Sequence, residues 1–208
     1  MSHSDTQMIY LASKSPRRQE LLNQIGIQFT VIDVPAQDSA NSDMVDETVL
    51  ANENAVDYVN RLSRNKADCA WQFLISREVA KYPVLTADTT VVLDNLILGK
   101  PQDREEACEM MKRLSGKTHQ VLTSVAIKND EFFSQALQTS SVTFAELTSE
   151  MIEAYIDTSE PYDKAGGYGI QGLAGKFIKH IEGSYSGIMG LPLYETSELL
   201  KKAGIAVP

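Results

Sequence analysis

Apolar residues recur along this chain in two rhythms: short unbroken runs, and longer stretches in which they return every three or four positions. Ile9–Ala12 predicts a first strand. Pro16 opens a helix with Leu21, Leu22 and Ile25 on one face, and Gly26 suits the left-handed position just past its end. Gln28–Ile32 predicts a second strand. Pro35–Met44 is polar and small, with Ser39, Asn41, Ser42 and Asp43, and reads as a mobile loop. A long helix is expected over Glu53–Phe73, with Val56, Val59, Leu62 and Ala70 at helical spacing. Val84–Leu93 and Leu96–Leu98 form a hairpin around Asp94-Asn95. Arg104–Leu114 is helical up to Ser115-Gly116, and His119–Phe144 holds two or three antiparallel strands. Thr148 can cap a helix through Ile156. The glycine-rich stretch Gly166–Gly175 leads into a strand at Phe177–Ile181, and a last helix runs from near Pro192 to just before Gly204. No repeat or low-complexity tract interrupts this order. Alternating strands and helices with hairpins predict an α/β fold with a mixed sheet.

Composition narrows the partners. With 208 residues, one domain or one two-lobed domain is expected. Nineteen Lys and Arg against 28 Asp and Glu give a net charge of −9. That field repels nucleic acid and anionic membrane, so a phosphate ligand needs a local basic cluster or a metal ion. No apolar run approaches the ~18 residues of a membrane span, and no secretory n-region with an apolar core opens the chain. Cys69 and Cys108 lack paired or metal-ligand spacing and read as reduced, buried thiols in a cytoplasmic protein. His3, His119 and His180 are scattered, which argues against a histidine metal site.

The chemistry starts at Ser13-Lys14-Ser15-Pro16-Arg17-Arg18, where a strand hands over to a helix. Ser15 suits the N-cap and Pro16 the first helical position. The free N–H groups of that first turn carry roughly half a positive charge and favour an anion. Arg17 and Arg18 add guanidinium groups shaped for phosphate oxygens. Further on, Leu85-Thr86-Ala87-Asp88-Thr89-Thr90-Val91 is an apolar strand broken by a single carboxylate. An Asp at such a point ends a strand, caps a turn or serves a site, because a buried unpaired carboxylate is costly. Asp46-Glu47 follows the polar loop, Lys66 lies on the long helix, and Gly99-Lys100-Pro101 closes the hairpin. Each charge alone reads as ordinary surface. Together they are two carboxylates and four cations at element ends, where clefts form. Glu47 and Asp88 can hold Mg²⁺ against a triphosphate, Arg17, Arg18, Lys66 and Lys100 can neutralise its other oxygens, and a carboxylate can take a proton from water.

The glycine-rich stretch contains a decoy. Gly167-Tyr168-Gly169-Ile170-Gln171-Gly172 fits a dinucleotide fingerprint, but turn and strand follow it where a helix should open. Gly175-Lys176 resembles the end of a phosphate-binding loop, yet Ile170 and Phe177 stand where that motif needs glycine and a hydroxyl residue. Gln171 is the informative residue. Its amide offers a donor and an acceptor, complementary to the imide edge of uracil or thymine, although a loop Gln bonded to backbone remains an open alternative.

In sequence order, Leu11-Ala12-Ser13-Lys14-Ser15-Pro16-Arg17-Arg18, Ala87-Asp88-Thr89-Thr90-Val91, Gly99-Lys100-Pro101, Leu114-Ser115-Gly116-Lys117-Thr118-His119 and Lys164-Ala165-Gly166-Gly167-Tyr168-Gly169-Ile170-Gln171-Gly172 resemble the Maf family of nucleoside triphosphate pyrophosphatases. The resemblance covers nearly the whole chain. It implies one domain over residues 1–208, an elongated two-lobed α/β fold similar to the inosine triphosphatase class, and an active-site cleft between the lobes. It also implies a divalent cation, Mg²⁺ or Mn²⁺, and leaves room for a homodimer. Tyr168–Gly172 resembles the subgroup acting on dTTP and UTP; the alternatives are 7-methyl-GTP specificity and a non-enzymatic, nucleotide-binding regulator of septum formation. By matching position, Asp88 is the proton acceptor; Arg18, Thr89 and Gln171 are tied to substrate choice; Ser13, Arg17, Glu47, Lys66 and Lys100 are polar cleft residues. Lys14 departs from the small residue frequent there, and Pro35–Met44 reads as an insertion of about ten residues against ordinary connections. Glu47 rather than Asp38 takes the carboxylate position, because Val45-Asp46-Glu47 keeps the family's spacing before Tyr58-Val59 and Arg61-Leu62.

Overall fold

The β-branched and apolar run Val84–Leu93 forms β3, the strand around which the rest is organised. The computed structural model describes residues 8–35, 44–79 and 82–208, so most of the polar loop, including Asp38, and His3 lie outside the described residues. Parallel to the start of β3 lie β1 (Ile9–Leu11) and, beyond it, β2 (Phe29–Val31). β4 (Leu96–Leu98) folds back on the end of β3. Asp94 and Asn95 adopt φ of 50° and 66°, the left-handed pair that a two-residue hairpin turn needs and that Asp and Asn tolerate. On the other side β5 (Thr118–Lys128), β6 (Phe133–Phe144) and β7 (Ile178–Glu182) continue antiparallel. The sheet order is β2-β1-β3-β5-β6-β7 with β4 beside β3, a mixed sheet as expected. His119–Phe144 thus resolves into two long strands.

Helices α1 (Pro16–Gln24), α2 (Ala55–Ser76), α3 (Arg104–Leu114), α4 (Ser149–Ile156), α5 (Tyr185–Met189) and α6 (Leu193–Lys202) flank it. Asn54 caps α2 through the Asp57 N–H, Asp103 caps α3 and Thr148 caps α4. α2 therefore starts two residues later than its apolar spacing suggested. Ser15 occupies the N-cap of α1 but makes no side-chain capping bond; its own N–H donates to Ser13 Oγ at 3.3 Å. The short α5 escaped the sequence pattern because a five-residue helix has too few turns to show a period.

Alternation along β3 decides what covers each face. Val84 packs with Ala70, Trp71 and Leu74 of α2, and Val92 packs with Val59. On the opposite face Leu85 and Ala87 join Ile9, Leu11, Leu21, Leu199 and Leu200 in one cluster under α1 and α6. Val91 and Leu93 join Met111, Leu114, Val142, Tyr155 and Phe177 in a second cluster under α3 and α4. Burying each such Leu or Ile side chain contributes about 1.5–3 kcal/mol. Between the two clusters the paired residues are Thr89 and Thr123, so polar groups part the apolar packing midway along the sheet.

Candidate active site

Two ends of β3 have strand neighbours on its β1 side, and the middle has none. β1 pairs with Val84 and Leu85, and β4 pairs with Val91, Val92 and Leu93. Over Ala87–Thr90 that edge opens into a cavity of about 420 Å³, within the size range of small-molecule sites. Its walls bring together Ser13, Arg17, Arg18, Glu47, Lys66, Asp88, Thr89, Lys100 and Gln171. These are the nine residues the sequence singled out.

Asp88 is 7% exposed and shares the α2 face of β3 with Val84 and Thr86. Lys66, on the facing side of α2, donates to Asp88 Oδ1 and to Glu47 Oε1, both at 2.6 Å. Lys100 Nζ lies 4.0 Å from Glu47 Oε2. Burial works against charge on Glu47, but Lys66, Lys100 and Arg18 outweigh it and hold the carboxyl below the usual range. Burial likewise opposes charge on Lys66, and the two carboxylates overcome it and push its pKa up. Glu47 comes from a loop fastened to the start of α2. Tyr58 OH donates to Glu47 O at 3.0 Å, and Arg61 Nη2 donates to Thr48 O at 2.9 Å. Arg61 also forks onto Glu53 at 2.6 and 2.7 Å, while Glu53 Oε2 accepts from the Leu50 N–H. Burial, reinforced by Asp88 and Glu47, pushes the Tyr58 phenol up to about 12, so it remains a donor. The α2 register is itself fixed by Thr86 Oγ1 donating to Ser63 O at 2.8 Å and by the Ser63–Ser124 hydroxyl pair at 2.7 Å, one turn before Lys66.

Arg18 differs from the other cations. Its guanidinium donates to Gly190 O at 2.8 Å, Ser13 Oγ at 3.2 Å and Thr89 Oγ1 at 3.3 Å. Thr89 in turn meets Thr123, which donates to Gly187 O at 2.8 Å. Arg18 thus knits the floor of the cavity from α1 through β3 to α5. Burial draws its pKa down from the ordinary arginine value, and Asp88 opposes that. Gly190 permits this turn with φ of 113°, which a side chain would strain. Ser15, Pro16 and Arg17, the N-terminal turn of α1, line the wall beside it. Lys14 pairs with Asp33 at 2.8 Å, with both side chains largely exposed at the rim.

Gln171 projects from a loop staked at both ends. Tyr155 OH lies 3.1 Å from Gly167 O, and the Glu160 carboxylate accepts from the Leu173 and Ala174 N–H groups at 2.7 and 3.2 Å. Behind it Tyr168 OH meets His119 Nε2 at 2.7 Å, and both rings pack edge-on against Phe144. Gly166 has φ of 68°, and a Cβ there would stand 2.9 Å from Val91, so the chain can pass close under β3 only as glycine. After Gly172 come a 3-10 turn and β7, so this is no dinucleotide fingerprint.

Reasoning from sequence missed Tyr58 and Lys164, both of which line the cavity. Lys164 Nζ is held by Glu160 O at 2.7 Å and Asp163 Oδ1 at 2.5 Å beside Gly169 and Gln171. The signal for Lys164 was its place at the head of the glycine-rich motif; for Tyr58 it was the Tyr58-Val59 pair that sets the spacing of Glu47. Cys69 is only half-buried, contrary to the expectation for both thiols; Cys108 is buried.

Residues 8–203 match the family of Maf-like proteins. The chain belongs to that family. Among relatives of this Maf-like chain, the dTTP/UTP pyrophosphatase of Bordetella avium is 48% identical over 200 residues, covering 96% of this chain and 97% of that protein. The dTTP/UTP pyrophosphatase of Methylobacillus flagellatus is 50% identical over 200 residues, covering 96% and 94%. The nucleoside triphosphate pyrophosphatase of Haemophilus ducreyi is 46% identical over 199 residues, covering 96% of each. The structure of the Staphylococcus aureus Ham1 protein shares the fold, with a TM-score of 0.52 at 14% identity over 94% of this chain and 99% of that one. Among the described residues, no helix of this Maf-like chain is long and apolar enough to cross a membrane.

Proposed function

We propose that this chain is a nucleoside triphosphate pyrophosphatase that hydrolyses dTTP and UTP to the nucleoside monophosphate and pyrophosphate. The observation that carries the reading is the meeting of Glu47 and Asp88 on one ammonium inside a cleft that also gathers Arg17, Arg18 and Lys100. The names and near full-length similarity of the relatives support the substrate class. Residues 1–208 act as one catalytic unit in this reading, because a single sheet runs beneath both apolar clusters. A cytoplasmic location and a homodimer belong to the same proposal on family resemblance.

Each side chain has a task. Arg17 and the N–H groups of the first turn of α1 receive phosphate oxygens. Lys66 and Lys100 neutralise charge that develops on the departing pyrophosphate. Arg18 holds Ser13 and Thr89 in place beneath the substrate, so its part in substrate choice runs through the shape of the floor. Asp88 accepts the proton of the attacking water. Gln171 presents its amide to the imide edge of the pyrimidine.

The donor set also suits a divalent cation. Glu47 Oε1 and Asp88 Oδ1 lie 2.6 Å from one nitrogen, so they are close enough to share one ion. Both are hard oxygen donors, and among the described residues no cluster of three His, Cys, Asp or Glu side chains offers a different site. Mg²⁺ or Mn²⁺ commonly binds through one or two carboxylates with substrate phosphates completing its shell. Bound there, it would polarise the phosphoanhydride and offset the repulsion between carboxylates and triphosphate.

A phosphate-release assay with added inorganic pyrophosphatase, run across a nucleotide panel, tests the assignment. UTP and dTTP should be turned over best, and Gln171→Ala should lower their kcat/KM relative to GTP by about tenfold or more. Better turnover of 7-methyl-GTP would overturn the base assignment. Tight nucleotide binding with no turnover would point instead to the non-enzymatic alternative.

A further inference from the structure

Lys66 is doubly committed. Its side chain is 15% exposed, and among the described residues both of its ion pairs are to the carboxylates that would hold the divalent cation. An ammonium so enclosed needs anionic partners, and a cation bridging Glu47 and Asp88 needs the same oxygens. We propose that Lys66 is a resident competitor for the divalent cation: the entering ion displaces its ammonium from Glu47 and Asp88, and the freed ammonium turns to the phosphate oxygens of the nucleotide. This inference rests on the reading of Glu47 and Asp88 as cation ligands.

Two features favour competition over simple support. The backbone segments that carry the two carboxylates are held in place without Lys66. Asp88 is fixed by its position in the middle of β3, paired opposite Ser124. Glu47 is fixed through its own backbone by Tyr58, and its loop by Arg61 and Glu53. Removing the ammonium therefore leaves two facing carboxylates, a stronger cation site than before. The second feature is a shared cavity. Lys66 is rooted on α2, and the cavity wall it shares runs to Ser15 and Arg17 at the head of α1, where phosphate oxygens would sit. Its flexible four-carbon stem and three rotatable donors suit a transfer between anions.

The test is Mn²⁺ binding to the purified full-length chain without nucleotide, read from the electron paramagnetic resonance signal of free Mn²⁺. Lys66→Met should bind Mn²⁺ about tenfold tighter than the wild type or better, and Mn²⁺ should raise its Tm more. Measurable wild-type binding with equal or weaker binding in Lys66→Met would overturn the inference while leaving the cation reading intact. Absence of Mn²⁺ binding in every form at millimolar concentration would overturn both. Should Lys66→Met fail to fold, Lys66→Gln, which keeps a donor without the charge, decides by the same criterion.

Discussion

Single residues in this molecule are explained by the partner each one meets. Asp88 was legible in the sequence because one carboxylate inside an apolar strand demands a reason. The reason, an ammonium rooted on another element, was not legible. His119 was less readable still. In sequence it is an isolated histidine; in the fold it is 2% exposed, bonded to Tyr168 through Nε2, and its Nδ1 has no hydrogen-bond partner among the described residues. Burial draws its pKa from 6.5 down to about 4. The folded form then binds fewer protons than the unfolded chain between those two values. Its share of stability is complete above pH 6.5 and is lost as the pH falls towards 4. Between pH 7 and 5 the loss should be about 2 kcal/mol from this residue. Urea unfolding at the two pH values, compared between wild type and His119→Gln, checks it: the variant should lack that part of the pH dependence. An unchanged difference would mean that His119 does not carry it.

At the level of elements, α2 governs the chemistry more than any loop does. It carries Lys66, holds the Glu47 loop through Tyr58 and Arg61, and locks to the sheet through Ser63. Its apolar stripe was visible in the sequence, and so were its boundaries to within a turn. The polar side was not, because hydrogen-bond partners such as Thr48 and Ser124 become neighbours only after the chain folds. Arg61 is not among the residues that line the cavity, yet it fixes the carbonyl next to Glu47. Groups one shell behind a cation ligand typically change affinity by about 10–100-fold when removed. Arg61→Ala should accordingly raise the Mg²⁺ concentration for half-maximal activity roughly tenfold, with KM for UTP little changed at saturating Mg²⁺. A rise in KM with an unaltered Mg²⁺ requirement would contradict this role.

For the whole molecule, the governing feature is an interruption. β1 and β4 reach β3 from opposite ends, and threonines part the apolar clusters beneath, so the sheet opens midway. The sequence announced the strands and the hairpin, since alternation and turn residues are local signals. It could not announce the gap, which arises from pairings between segments far apart in the chain. An acidic chain with net charge −9 then concentrates its useful cations in that one opening, where they can meet a triphosphate that the rest of the surface repels. The most direct measurement is ³¹P NMR of UTP incubated with wild-type protein and with Asp88→Asn in the presence of Mg²⁺. The account predicts UMP and pyrophosphate in equal amounts from the wild type, and turnover reduced by about a thousandfold or more in the variant, the order expected for loss of a proton acceptor used in the transition state. UDP and inorganic phosphate as products, or wild-type turnover by Asp88→Asn, would contradict it.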